Sequence, residues 1–433
     1  MSPTFQSLGV RNYRIYASGS IVSNVGTWMG RVAQDWLVLT VLTAGSASAL
    51  GIVTGLQFLP FLILAPWAGM VADRVPNRRL LFMTQSALLL TALVLAVITA
   101  LGVVQLWHVY LIAFAQGVAT AFDNPARQTF VSEMVGRDHL ANAVALNSAS
   151  FNLGRLVGPG VAGLVIAVAG IAPALFVNAA SFLFVLAALA RMNPAELTPA
   201  PKSRGKGQIR EGLRYVKGRP DIQLVMFLVF ILGTFGMNFQ MTTALMATQV
   251  FHKGAGEYGL LGSIMAVGSL VGALIAARRN HPRLRILLVA LTGFTAATLL
   301  LSIAPSYALF AVFLVPTGLA SLTALTTANA TVQLAVDPAM RGRVMALYMA
   351  IFFGGTPLGS PVIGWIGDAF GARWTIAIGT IMVGLSLLVV AVWAARTHNV
   401  AVSFRAQGHP RISIAVNRPA LPEPSEPAPE AVK

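Results

Sequence analysis

The chain has 433 residues, 56% hydrophobic and only 10% charged, with a formal net charge of +16. Soluble domains carry roughly 25% charged residues, so this composition excludes an ordinary soluble fold. The positive charge does not mark a nucleic-acid binder, because it lies in short gaps between apolar runs and so faces an anionic lipid surface.

Runs of about 20 apolar residues are long enough to cross the hydrocarbon layer. They predict an all-α polytopic membrane protein with twelve transmembrane helices, at 15–40, 47–71, 80–101, 106–126, 140–168, 171–190, 222–247, 258–277, 286–304, 307–331, 344–366 and 374–395. Of the 30 Lys and Arg residues, 26 fall before the first span, after the last, or in every second gap. Lys and Arg accumulate on the cytoplasmic side. Both termini are therefore expected in the cytoplasm of a bacterial cell, with the spans in its plasma membrane. The opening MSPTFQSLGVRNYRIY has no cleavage pattern, so the first span is expected to be retained.

Span one carries Arg31 and Asp35, four residues apart and therefore on one helix face. They are expected to pair, which lowers the cost of both in lipid. Asp35 is the first candidate for a reversibly protonated carboxylate, and a plain structural pair is the alternative. Asn24, Trp28 and Gln34, with Gln57 of span two, are candidate cavity residues. At the end of span two, Gly69-Met-Val-Ala-Asp73-Arg74-Val-Pro-Asn-Arg78-Arg79 puts one acid among three arginines. Gly69 would allow close helix approach there.

Span four offers Gln116 to the cavity and Asp123 as a second intramembrane acid, although Asn124-Pro125 favours a helix end with Asp123 in water. Span five contains Gly154, Arg155, Gly158, Pro159 and Gly163. The glycines admit a neighbouring helix and the proline bends its own. A packing kink alone is the competing account. Arg155 lies mid-span, so it is expected to face a cavity and meet an anionic group or an acidic partner. Asn147 and Phe151 join the cavity set.

Eight basic residues lie between Arg191 and Pro220, against Glu196 and Glu211. This divides the chain into a six-helix bundle at 1–190, a basic cytoplasmic linker at 191–221 and a second bundle at 222–396. Ile209, Leu213 and Val216 recur at helical spacing, predicting an amphipathic interfacial helix over 207–217. Phe235, Asn238 and Phe239 share a face of span seven, and Asn329 lies in span ten. Asp368 is expected to pair with Arg373 at the outer surface, with Trp107, Tyr110 and Trp374 as interface anchors. The tail 397–433 holds six prolines after residue 409 and is expected to be disordered.

The segment 69–79 resembles the signature between the second and third helices of the major facilitator superfamily. In that family its Asp engages the cytoplasmic start of the eleventh helix and closes the inside of the outward-open form. The resemblance gives that role to Gly69, Asp73, Arg74, Arg78 and Arg79, with Arg341 and Arg343 opposite. Pro76 and Asn77 depart from the pattern. A degenerate copy at Gly272–Arg279 has Ala276 in place of the acid. The span-five glycines with Pro159 resemble the element marking proton-coupled exporters, although Ala162 stands where Gly is common. Ala113-Phe-Ala-Gln116-Gly117 resembles an exporter motif of the fourth helix but lacks its leading Arg.

Residues 8–396 as a whole resemble the enterobactin-exporter-like and multidrug proton-antiporter branch, through Trp36-Leu-Val-Leu, Gln57-Phe-Leu-Pro60 and Thr84-Gln85. The resemblance implies two pseudo-symmetric bundles and proton-coupled efflux of amphipathic small molecules by alternating access. A dedicated exporter or importer of one metabolite is the nearer alternative, and a receptor or scaffold the remoter one. With no Cys, six His, no GxxxxGK[ST] and no His-Glu-x-x-His, no enzyme, metal or cofactor is expected. The expected partners are a small-molecule substrate, protons and a bilayer with an anionic inner leaflet, for a monomeric chain.

Overall fold

The computed structural model describes residues 3–198, 208–277, 284–337, 340–398, 401–405 and 411–415. Arg278, Arg279 and most of the tail lie outside these residues. The chain forms two compact units, 1–384 and 385–433, and the packing below concerns the first.

The first unit is helical throughout: α1 (Arg11–Leu37), α2 (Ala47–Arg74), α3 (Asn77–Ala100), α4 (Leu106–Met134), α5 (Arg137–Ala169), α6 (Ile171–Arg191), α7 (Gln208–Lys217), α8 (Pro220–Ile231), α9 (Phe239–Leu245), α10 (Ala255–Ala277), α11 (Leu284–Ile303), α12 (Tyr307–Ala335), α13 (Arg341–Gly354), α14 (Thr356–Phe370) and the start of α15 (Ala372–His398). Continuous helix is what an apolar solvent demands, since lipid satisfies no backbone N–H or C=O. Among the described residues, ten helical stretches are long and apolar enough to cross a membrane. Neither α1 nor α4 is among them, although they run 27 and 29 residues, because both carry charged and polar side chains along their length. Large apolar side chains such as Leu164, Val168 and Val289 stand exposed on the outside, as a lipid-facing surface requires.

Two expected continuous spans are broken. Span seven is α8, a π-helical turn at Leu232–Gly236, an interruption at Met237 and Asn238, and then α9. Span eleven is split at Gly355 into α13 and α14, with Pro357 just beyond the break. The two interruptions pack against each other: a side chain on Gly355 or Gly359 would collide with Thr234, and one on Gly233 with the Phe352 carbonyl. Freed backbone groups are partly rejoined locally, since Asn238 Nδ2 donates to the Thr234 carbonyl at 2.9 Å.

Helices that meet at tight turns do so through glycine. Gly170 (φ +91°) joins α5 to α6, and Gly371 (φ +98°) joins α14 to α15, a left-handed conformation that costs glycine nothing. The amphipathic helix is present as α7, docked on the start of α13: Glu211 pairs with Arg343 at 2.6 Å, and Tyr215 Oη donates to Asp337 at 3.1 Å. In the second unit, β1 (Ala401–Arg405) pairs antiparallel with β2 (Arg411–Ala415).

Candidate functional site

The face on which α1 begins is called near below, and the opposite one far. The middle of α1 is drawn tightly against α5 and α6 by small residues. Gly154 abuts Asn24 and Gly158 abuts Trp28, while on α1 itself Gly26 and Gly30 meet Ser181 and Asn178 of α6. Gly163 and Pro159 of α5 in turn meet α10, where Gly256, Gly259 and Gly262 leave room, and Ser263 Oγ donates to the Leu156 carbonyl at 2.6 Å. Thus α5 is packed between α1 and α10, and its small residues carry that contact.

This packing assembles a polar and aromatic cluster. The Arg31 guanidinium lies 5.1 Å from the Trp28 ring centre and 5.8 Å from that of Phe58, and the Arg155 guanidinium lies 5.9 Å from the same indole. Phe151 meets Trp28 edge-on at 5.8 Å. Phe58 stacks on Phe353 at 6.1 Å, which joins α2 to α13. Asn24 Nδ2 donates to Ser150 Oγ at 2.9 Å.

Toward the far face, Asp35 is buried and accepts from Gln240 Nε2 of α9 at 2.7 Å and from Tyr258 Oη of α10 at 3.1 Å. Trp36 stacks on the Tyr258 ring at 6.0 Å. The expected Arg31–Asp35 ion pair is not formed among the described residues. One turn of helix separates them, and the carboxylate is turned toward α9 and α10, where two neutral donors already occupy it. Gln240 and Tyr258 were not legible as partners, because their contacts with Asp35 bridge more than 200 residues of sequence.

The far face is closed by a second set of contacts. Asp368, at the end of α14, accepts from the backbone N–H of Ala47 (2.6 Å) and Ser48 (3.0 Å) and from Ser46 Oγ (3.1 Å), so it caps the N-terminus of α2. This replaces the expected pairing with Arg373, whose guanidinium instead donates to the Ser302 carbonyl at 2.9 Å. Gln249 donates to the Gly45 carbonyl. Trp107 and Trp374 are exposed, as interface anchors are.

Asp123 is corrected most. The helix does not end at Asn124-Pro125: α4 continues to Met134, and Asp123 is buried. It accepts from Thr84 Oγ1 (2.8 Å), Gln85 Nε2 (2.7 Å) and the Arg127 guanidinium (2.9 Å). Neighbouring helices re-satisfy the backbone that a proline frees, so Pro125 does not force an exit to water.

The 69–79 segment lies at the near face. Among the described residues no atom lies within 4 Å of where a Gly69 side chain would begin, so the expected close approach is not made there. Arg78 donates to the carbonyls of Leu189 (2.8 Å) and Ala190 (3.4 Å), capping α6, while Arg74 and Arg79 are exposed. Asp73 lies in α2 with its side chain outside the described set. Of the two basic residues expected opposite it, Arg343 is paired with Glu211 and Arg341 is exposed.

The remaining cavity candidates divide. Gln57, Gln116 and Asn147 are half-buried, and Gln34 is buried with its amide nitrogen unpartnered. Asn329 only accepts from Gln333, four residues on, at 2.7 Å. Phe235, Asn238 and Phe239 instead line a small cavity with Phe294, Thr298 and Thr375, between α9, α11 and α15. That side of α9 is turned away from α1, so these three do not join the Trp28 cluster. Among the described residues no group of His, Asp and Glu is arranged to hold a metal.

Residues 2–419 match the family model described as transmembrane secretion effector. The staphyloferrin A transporter of Staphylococcus aureus is 25% identical, over 84% of this chain and 92% of its own length. The multidrug efflux pump Tap of Mycolicibacterium fortuitum is 29% identical, over 87% and 94%. Among solved structures, a bacterial homologue of the human lysosomal transporter Spinster, inward-facing and occupied, superposes with a TM-score of 0.69 at 14% identity, over 90% of this chain and 97% of that one.

Proposed function

Because the chain belongs to the transmembrane secretion effector family of major facilitator transporters, we propose that it exports amphipathic small molecules, drug-like compounds or siderophore-like metabolites, by proton-coupled alternating access. The family is one of transport proteins, not enzymes. In this reading α1 and α4 are spans as well, making twelve, and the halves at 1–190 and 222–396 form pseudo-symmetric bundles. The matching glycine turns at Gly170 and Gly371, each between the last two spans of its half, support the repeat. The near face is cytoplasmic by the distribution of Lys and Arg. The contacts closing the far face then favour an inward-facing state, in which Arg343 is held by Glu211.

One observation carries the proton coupling: Asp35, a buried carboxylate on α1, is held by donors from α9 and α10 in the other half. A carboxylate accepts strongly from both. Protonation removes that charge and weakens both bonds, so binding a proton from outside and opening the far face become linked. The rival acid Asp123 is committed to Thr84, Gln85 and Arg127, which leaves Asp35 as the carrier, although the span-four motif departs from the exporter pattern at Ala113.

Everted membrane vesicles test this. Adding an exported drug should release a pre-formed pH gradient, and Asp35→Asn should abolish the release with the protein still present in the membrane. A normal response from the variant removes Asp35 from the mechanism. A narrow range is the second reading, favoured by the relative named for staphyloferrin A. Export of only one compound in a pump-deleted host would select it.

A further inference from the structure

We propose that Arg31 and Arg155, which both approach one tryptophan ring, form a binding site for an oxyanion carried on an aromatic body. The transported class would then be organic anions, aromatic carboxylates above all, rather than cations. The inference deepens the export reading above and rests on it for the direction of transport.

The argument starts from unpaired charge. Both guanidinium groups sit mid-helix, Arg31 on α1 and Arg155 on α5, and both are half-buried. Neither makes an ion pair or hydrogen bond with a described residue. The acids inside the helices are committed elsewhere. Asp35 is held by Gln240 and Tyr258, Asp123 is matched by Arg127, and Asp368 caps α2 at the far face. Among the described residues the cluster therefore keeps two guanidinium groups without an ion-pair partner in contact, Asp35 acting on Arg31 only at longer range, in a region where charge is costly and persists only for a task.

Trp28 offsets part of that cost by cation–π attraction, from 5.1 Å for Arg31 and 5.9 Å for Arg155. It leaves the N–H forks unused. A planar fork of donors fits a carboxylate edge, two bonds at a time. Gln34, three residues beyond Arg31 on the same helix, adds a buried amide nitrogen without a partner. Phe58 and Phe151 complete an apolar wall against which an aromatic body can pack. The placement is built into the backbone, because Gly154 and Gly158 on either side of Arg155 let α5 touch Asn24 and Trp28 directly. A cationic drug entering this cluster would meet two like charges.

The test uses the full-length protein in lipid nanodiscs and three probes of similar shape: 2-naphthoate, 2-naphthamide and (2-naphthylmethyl)ammonium, measured by equilibrium dialysis at neutral pH. Naphthoate should bind the wild-type protein at least tenfold more tightly than the neutral amide, with the cation weakest. Arg31→Gln and Arg155→Gln should each reduce that preference toward one, and Arg155→Lys should retain part of it. The wild-type ratio is informative even where a variant fails to fold. Equal binding of amide and naphthoate, tighter binding of the cation, no measurable naphthoate binding, or an unchanged ratio in both folded Gln variants would each overturn the proposal. The outcomes stay separable from the export reading. Selective naphthoate binding without gradient-driven transport sinks export alone, whereas gradient-driven export with equal binding of the three probes sinks this inference alone.

Discussion

Asp35 and Asp123 are both single carboxylates within apolar helices, yet their neighbours give them different tasks. Asp123 is used by Thr84 and Gln85 of α3 and Arg127 of its own helix, whereas Asp35 joins α1 to α9 and α10 through neutral donors. Breaking a buried ion pair by removing one partner costs about 3–5 kcal/mol, because the other charge is left uncompensated. Asp123→Asn should therefore lower thermal stability in detergent by an amount of that order. A loss under about 1 kcal/mol, the range of exposed pairs, would show that Asp123 and Arg127 are wet after all. The four-residue spacing of this pair was visible in the chain, but its burial was not. Asn124-Pro125 reads locally as a helix end, and only the packing of α3 against α4 overrides it.

At the scale of helices, small residues decide which pairs touch, and they do so unequally. A side chain on Gly158 would begin 2.6 Å from the Trp28 Cβ and 2.9 Å from the Val25 carbonyl oxygen, whereas one on Gly69 would meet nothing within 4 Å. Gly158→Ala should cost about 1–3 kcal/mol as overpacking. Gly69→Ala should stay within about 0.5 kcal/mol, as surface changes do. Chemical denaturation of the two variants in the same detergent compares them, and equal losses would contradict the packing described. Both glycines look alike in the sequence, each near a charged residue in an apolar run. The breaks in spans seven and eleven have local markers, Gly233, Gly236 and Asn238 in one and Gly354-Gly355 with Pro357 in the other. That they face each other was hidden, since Thr234 against Gly355 and Gly359 is a contact between distant segments.

At the scale of the whole transporter, alternating access requires that the contacts closing the far face come apart in each cycle. The cap of α2 by Asp368 is such a contact, with Ser46 Oγ 3.1 Å from the carboxylate. The chain has no native cysteine, so Ser46→Cys with Asp368→Cys can be cross-linked without background. Oxidation should arrest transport and a reductant restore it; a cross-linked protein that still transports would show that this face need not open. Length, hydropathy and the spacing of arginines were enough to place the chain in a membrane as a multi-pass protein, because crossing hydrocarbon constrains every span by itself, and the resemblance of 69–79 to a transporter signature supplied the rest. They also picked out Arg31, Asp35 and Arg155, since charge inside an apolar run is conspicuous wherever it ends up. Which charges find partners is another matter. Asp35 turned from Arg31 to Gln240 and Tyr258, and Asp368 from Arg373 to the end of α2, because hydrogen bonds and ion pairs are satisfied by whatever lies within about 3 Å in space, and neighbours in space come from helices far apart in the chain.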